Sequence, residues 1–222
     1  MERGFGLVLL LGFICMACSG AKREREEPIR TPPPNRIEED RRPVIAAFGD
    51  SLTAGAGVPQ NLNYPSKLQE KIDAAGYRYK IVNAGASGET SSQGLNRVST
   101  IVGLRPAIVI VEFGANDGLR GVPVETTRRN LEAIITRLQA AGAKVVLAGM
   151  LVPPNYGPQY SNSFRGIFPG VAEKTGATLL PFFLEGVGGR PELNQDDGIH
   201  PTPQGYDIVV ENVWRVLKPL LD

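Results

Sequence analysis

The side chains with the clearest chemical potential in this sequence are Ser51, Asp197 and His200, with Gly88 and Asn116 beside them. Ser51 lies in Gly49-Asp50-Ser51-Leu52, directly after the apolar run 44–48. A serine held at a strand end, on a tight turn into a helix, is exposed enough to act as a nucleophile, and such a turn offers backbone N–H groups to a developing negative charge. Asp and Ser are also ordinary helix caps, so this stretch alone leaves both readings open. His200, in Asp196-Asp197-Gly198-Ile199-His200-Pro201, is the only histidine in the chain, so any imidazole acid–base chemistry must use it. Asp197 can curl back to accept the ring N–H, setting the tautomer and stabilising the imidazolium. The short turn through Gly198 and Ile199 suits Asp197 better than Asp196. The alternative is a surface histidine in a turn.

Gly88 lies in "NAGASGET" (83–90) and Asn116 in "FGANDGLRG" (113–121). A glycine lets the backbone approach a substrate closely and point its N–H at an oxyanion. The side-chain amide of Asn116 can donate to the same atom. Each has a plainer alternative: a loop glycine with Ser87 capping the next helix, and an Asn-Asp-Gly turn. Taken together, nucleophile, base, orienting carboxylate and two oxyanion donors form a complete acyl-transfer set that needs neither metal nor cofactor.

Such a set works only if the fold brings its parts to one rim. From Pro43 onward, apolar runs at 44–48, 79–84, 107–113, 143–150 and 177–182 read as strands, several of them apolar on successive residues, as in strands buried on both faces. Between them lie predicted helices near 64–75, 90–103, 124–140, 161–175 and 203–218. In the 124–140 segment Leu131, Ile134, Ile135 and Leu138 share one face, and Gly142 lies just past its end. This alternation predicts an α/β fold: a parallel sheet with right-handed crossovers and helices on both faces. Ligands in such folds sit beyond the carboxyl ends of the strands. Ser51, Gly88 and Asn116 follow the first three strands, and the Asp197–His200 connection can return to the same rim.

The chain of 222 residues suits one medium domain plus an appendage. Lys and Arg number 24 against 23 Asp and Glu, a net charge of +1, which argues against a nucleic-acid partner. The appendage is N-terminal. Arg3 precedes "FGLVLLLGFICMA" (5–17), too short to span a bilayer but suited to the apolar core of a secretory signal peptide. Both cysteines, Cys15 and Cys18, fall here, so the body has no disulfide and no thiolate metal site. "CMACSG" resembles a bacterial lipoprotein signal, which implies lipidation of Cys18 and a membrane anchor; Cys15 stands where that pattern commonly has Leu. Cleavage near Ala17, giving a soluble exported protein, is the alternative. Residues 19–42 mix both charge signs with Pro32-Pro33-Pro34 and read as a disordered tether. The expected organisation is a leader over 1–18, a tether over 19–42, and an exported, periplasmic domain over 43–222.

Gly49-Asp50-Ser51-Leu52, Gly88, Asn116 and Asp197–His200 resemble the four blocks of the SGNH (GDSL) hydrolase superfamily. "VEFGANDGLRG", "PPNYG", "LLPFFLEGV" and "QDDGIHP" extend the match to the bacterial multifunctional acyl-CoA thioesterase/lysophospholipase/arylesterase branch, over about residues 43–221. The resemblance implies a flavodoxin-like three-layer α/β/α sandwich with a five-stranded parallel sheet, and hydrolysis of carboxylic esters or thioesters through an acyl-enzyme. It implies Ser51 as nucleophile, His200 as base and Asp197 as its partner, with an oxyanion hole from the Ser51 and Gly88 N–H groups and the Asn116 amide. Leu119, Val152 and Pro153, after strands three and four, are expected to line an acyl groove. Ala115 departs from the glycine common in close relatives, which bears on substrate range. The rival readings are a carbohydrate O-acetyl esterase of the cell envelope and a non-catalytic tethered lipoprotein.

Overall fold

A computed structural model describes residues 40–222. The leader, Cys18 and residues 19–39 of the expected tether lie outside the described residues. The chain runs β1 (Val44–Gly49), α1 (Ser51–Ala54), α2 (Tyr64–Ala74), β2 (Lys80–Gly85), α3 (Ser91–Gly103), β3 (Ile108–Glu112), α4 (Ala115–Leu119) and α5 (Val124–Ala140). It continues through β4 (Lys144–Ala148), α6 (Pro158–Arg165), α7 (Ile167–Thr175), β5 (Thr178–Leu180) and α8 (Pro203–Leu217).

The five strands form one parallel sheet in the order β2-β1-β3-β4-β5. Ile45–Phe48, Ile108–Val111 and Val145–Ala148 are buried along their whole length, as the unbroken apolar runs require of strands covered on both faces. Helices α2 and α8 pack together in one layer; α3, α5 and α7 pack together in the other. The buried stripe of α5 is Leu131, Ile134, Ile135 and Leu138, as its period predicts. This is the expected flavodoxin-like sandwich. No helix among the described residues is long and apolar enough to cross a membrane.

Two features of this sheet position the site. Strand order reverses between β1 and β3, so connections leave in opposite directions there and open a crevice at the carboxyl edge. The register then aligns the exits: Gly49 pairs with Gly85 on one side and with Glu112 on the other. Three adjacent strands therefore release the chain from the same row, and the residues just beyond them share a rim.

The predicted helix over 161–175 is two helices that meet at Gly166. Pro169 is the cause: its ring excludes the carbonyl of Arg165 from a continuous helix and it has no N–H to give. The strand predicted to Phe182 stops at Leu180 for a related reason, since Pro181 cannot continue a ladder. The Asn-Asp-Gly stretch is the short helix α4 rather than an isolated turn.

Candidate active site

The turn after β1 is tight because two glycines allow it. A β-carbon on Gly49 would come within 2.2 Å of the Thr53 hydroxyl, and one on Gly85 within 2.1 Å of the Ala54 nitrogen. Asp50 is the N-cap of α1, its Oδ1 accepting the Leu52 N–H at 3.0 Å. Capping therefore falls to Asp50, which leaves the Ser51 hydroxyl free to face the crevice. Arg97 of α3 braces the turn from below, donating to the carbonyls of Gly49 (3.0 Å) and Ala84 (2.8 Å) while paired with Glu89 at 2.6 Å.

Ser51 Oγ lies 2.9 Å from Nε2 of His200, and His200 Nδ1 lies 2.7 Å from Oδ2 of Asp197. A carboxylate at Nδ1 places the ring proton there, leaving Nε2 to accept from the serine hydroxyl. The turn that returns Asp197 to the ring uses Gly198 at φ +73°, a left-handed conformation that favours glycine. Asp197 Oδ1 accepts the N–H groups of Ile199 and His200, both at 3.0 Å. The His200 ring first, then these backbone donors, hold the Asp197 carboxyl down to about 2. Asp196 makes no such contact with the ring.

Gly88 and Asn116 reach the same rim. Gly88 adopts φ +79°, and Arg120 donates to its carbonyl at 2.8 Å. The Ser51 and Gly88 N–H groups donate to no acceptor among the described residues, so both are available to a ligand. Asn116 differs: its Nδ2 donates to the Asp50 carboxylate and to the Glu89 carbonyl, both at 3.0 Å. It must share or release the Asp50-directed N–H to serve an oxyanion. The helix after Gly88 is capped by Thr90 with Gln93, not by Ser87.

From Ser51 and His200 a pocket of about 670 Å³ extends past Leu119, Val152 and Pro153. Leu119, more than a third exposed, forms part of its rim. The walls are latched: Tyr156 donates to the Leu119 carbonyl at 2.7 Å and Tyr160 to that of Val122 at 3.0 Å. The lining also includes Phe182, Leu184, Gly188 and Ile199, to which the sequence reading assigned no role. Periodicity assigned Phe182 to a strand, and the resemblance carried by "LLPFFLEGV" (179–187) gave no single residue there a role. Gln195 was missed for a different reason. It donates to the carbonyls of Ala56 and Pro201, joining the His200 loop to the Ser51 turn, and only the folded chain brings those carbonyls together.

This arrangement is competent for acyl transfer: a hydroxyl within hydrogen-bond reach of an imidazole, a carboxylate behind the imidazole, and unspent N–H groups at the mouth of an apolar cleft. Comparison with known proteins places the chain in a family. Residues 47–208 match the model of the GDSL-like Lipase/Acylhydrolase family. The chain is 43% identical over 179 residues to Esterase TesA of Pseudomonas aeruginosa, covering 80% of this chain and 89% of that protein. It is 37% identical to the Thioesterase 1/protease 1/lysophospholipase L1 of Escherichia coli, covering 81% of this chain and 85% of that one. The crystal structure of the psychrotrophic esterase EstA from a Pseudoalteromonas species, inhibited by monoethylphosphonate, superposes with a TM-score of 0.76 at 37% identity, covering 79% and 97% of the two chains. Family model, sequence and fold converge, and the chain belongs to the GDSL-like lipase/acylhydrolase family of ester-hydrolysing enzymes.

Proposed function

We propose that the enzyme is a serine esterase of acyl-chain oxyesters or thioesters, with Ser51 as nucleophile, His200 as general base and acid, and Asp197 as its orienting partner. The observation that carries this reading is the continuous bonding from Ser51 Oγ through the His200 ring to Asp197, at 2.9 and 2.7 Å, opening into an apolar pocket. His200 Nε2 takes the Ser51 proton as Oγ attacks the carbonyl carbon, and the carbonyl oxygen becomes an oxyanion facing the Ser51 and Gly88 N–H groups and Asn116. Collapse expels the alkoxide or thiolate, which takes the proton from His200 and leaves an acyl-Ser51 ester. Water, deprotonated by the same nitrogen, repeats the cycle and frees the acid. Each oxyanion donor is worth about 3–4 kcal/mol of transition-state stabilisation.

Leu119, Val152 and Pro153 hold the acyl chain in this reading, which favours it over an O-acetyl esterase, whose acyl group is too small to use the cleft. A panel of p-nitrophenyl esters from acetate to palmitate, run with Ser51→Ala, tests both parts. Turnover of medium and long chains that vanishes in S51A is expected. Activity confined to acetate establishes the O-acetyl reading, and full activity of S51A refutes the mechanism.

The leader adds a location to this reading: export, with Cys18 as the lipidated N-terminus and residues 19–42 as a tether for the domain over 43–222. Mass spectrometry of the mature protein tests this; an unmodified N-terminus near Ala17 removes the anchor and keeps the export.

A further inference from the structure

Two carboxyl groups lie under the nucleophile turn, and acyl transfer as written uses neither. Asp50, the first residue past β1, and Glu112, the last of β3, are both fully buried. They are neighbours across the β1–β3 pairing, the Asp50 N–H lying 3.4 Å from Glu112 Oε2. Donors are shared unequally between them. Asp50 accepts the Leu52 N–H on Oδ1 and the Asn116 amide on Oδ2, both at 3.0 Å. Glu112 Oε2 accepts the Thr53 hydroxyl at 2.8 Å and a long contact from the Asp50 N–H at 3.4 Å, while its Oε1 has no partner among the described residues.

No cation among the described residues forms an ion pair with either carboxyl. Arg97 of α3 reaches the Gly49 carbonyl nearby but spends its other donors on Ala84 and Glu89. The remaining groups facing the pair are Tyr64 of α2, 3.5 Å from the Thr53 hydroxyl, Tyr206 of α8, which donates to the Leu52 carbonyl, and His200. Burial holds both tyrosine hydroxyls neutral. Two neighbouring carboxylates in a dry site carry a desolvation cost and a like-charge repulsion that their few neutral donors offset only in part and no cation offsets. Such a pair relieves both by keeping a proton.

We propose that Asp50 and Glu112 share one proton, carried by Glu112 and donated to the Asp50 carboxylate, and that this pair positions the nucleophile turn and Asn116. The proton gives Glu112 the donor role that its unpartnered oxygen lacks as an anion. It leaves Asp50 ionised, able to accept at once from Leu52, Asn116 and Glu112, so the charge that orients Asn116 is retained. Burial pushes the Asp50 carboxyl up to about 6 and that of Glu112 well above the usual glutamate range, consistent with one proton held jointly. The structural half of this inference is independent of the Ser51 mechanism; its bearing on Asn116 rests on it.

The sign of the pH effect is fixed. A carboxyl whose pKa is higher in the folded state binds its proton more tightly there, so wild-type stability declines as the pH rises from about 4.5 towards the folded value. Glu112→Gln keeps the shape and a donor but cannot ionise, so the Tm of E112Q minus that of the wild type widens with rising pH across that window. Infrared spectroscopy of the full chain at pH 7 reads the proton directly. The wild type is expected to show the C=O band of a buried carboxylic acid, absent from E112Q and shifted in Asp50→Asn, where the accepting carboxylate is gone. On the alkaline side, the loss of kcat/KM is expected at higher pH in E112Q than in the wild type, which a purely structural glutamate would not produce. A wild type without the band, a band unchanged in D50N, or a Tm difference that does not vary with pH overturns the proposal, whatever S51A does.

Discussion

Replacing Gln195 by alanine removes the side chain that ties the His200 loop to the Ser51 turn. Its Nε2 donates to the Ala56 carbonyl at 2.8 Å and to the Pro201 carbonyl at 3.0 Å, both half-buried. Its Oε1 lies so close over Gly57 that a β-carbon there would sit 1.9 Å away. Water can reach the two carbonyls once the amide is gone, so each bond is worth about 1 kcal/mol rather than the full penalty of an orphaned acceptor. A loss of about 2 kcal/mol lowers the Tm of a domain of this size by about 4–8 °C. The kinetic effect is separable. Ser51 and His200 are 149 residues apart in sequence, and their 2.9 Å contact depends on the two loops staying docked. Misplacement of the order of 1 Å costs about 10²-fold in rate, and partial relaxation correspondingly less. Gln195 does not line the pocket, so the fall of about 10-fold or more is expected in kcat, with KM nearly unchanged. Thermal unfolding and p-nitrophenyl ester kinetics on Q195A measure both, and Gln195→Glu, which keeps the bulk but sets acceptor oxygens against the two carbonyls, should lose at least as much as Q195A. A Q195A enzyme with wild-type Tm and kcat would show that the loops dock without this clamp and would refute the reasoning.

Three further outcomes are expected. Because Asp197 is held down to about 2 against an ordinary value of 3.8, its contribution to stability is complete above about pH 4 and is lost only as the pH falls through about 2. The Tm difference between wild type and Asp197→Asn should therefore persist down to about pH 4 and shrink as the pH falls further towards 2, while D197N loses about 10⁴-fold in kcat at pH 7 through the wrong imidazole tautomer. Gly88→Ala has room for its methyl, whose nearest neighbour is Arg120 at 3.7 Å, but must hold φ +79°. It should cost about 1–2 kcal/mol by denaturant unfolding and lower kcat more than KM changes. Val152→Trp projects bulk into the cleft and should suppress turnover of long-chain p-nitrophenyl esters while sparing acetate; an unchanged chain-length profile would move the acyl site elsewhere.

Ser51, Asp197 and His200 were legible because their types are rare or ordered in this chain: one histidine, an aspartate three residues before it, and a serine at a strand end. The site residues that went unread lack such marks. Glu112 looks like the last polar residue of a strand, and its burial against Asp50 follows from the β1–β3 pairing. Phe182 and Leu184 stand in a stretch that the resemblance includes without giving either a role, Gly188 lies just past it, and Asp50, left without a role by its motif, is a cap for Leu52 and an anchor for Asn116.

The sequence by itself determined the strand–helix alternation, and through it a parallel sheet whose carboxyl edge carries the chemistry, because apolar period and turn residues are local properties. It also determined which side chains could serve as nucleophile, base and orienter. Only the tertiary structure decided that Gly49, Gly85 and Glu112 end in one row, that the His200 loop docks on Ala56, and that both Asn116 donors are already engaged. Those are contacts between segments far apart in the chain. Their distances are set by strand register and packing, which no single stretch of sequence encodes.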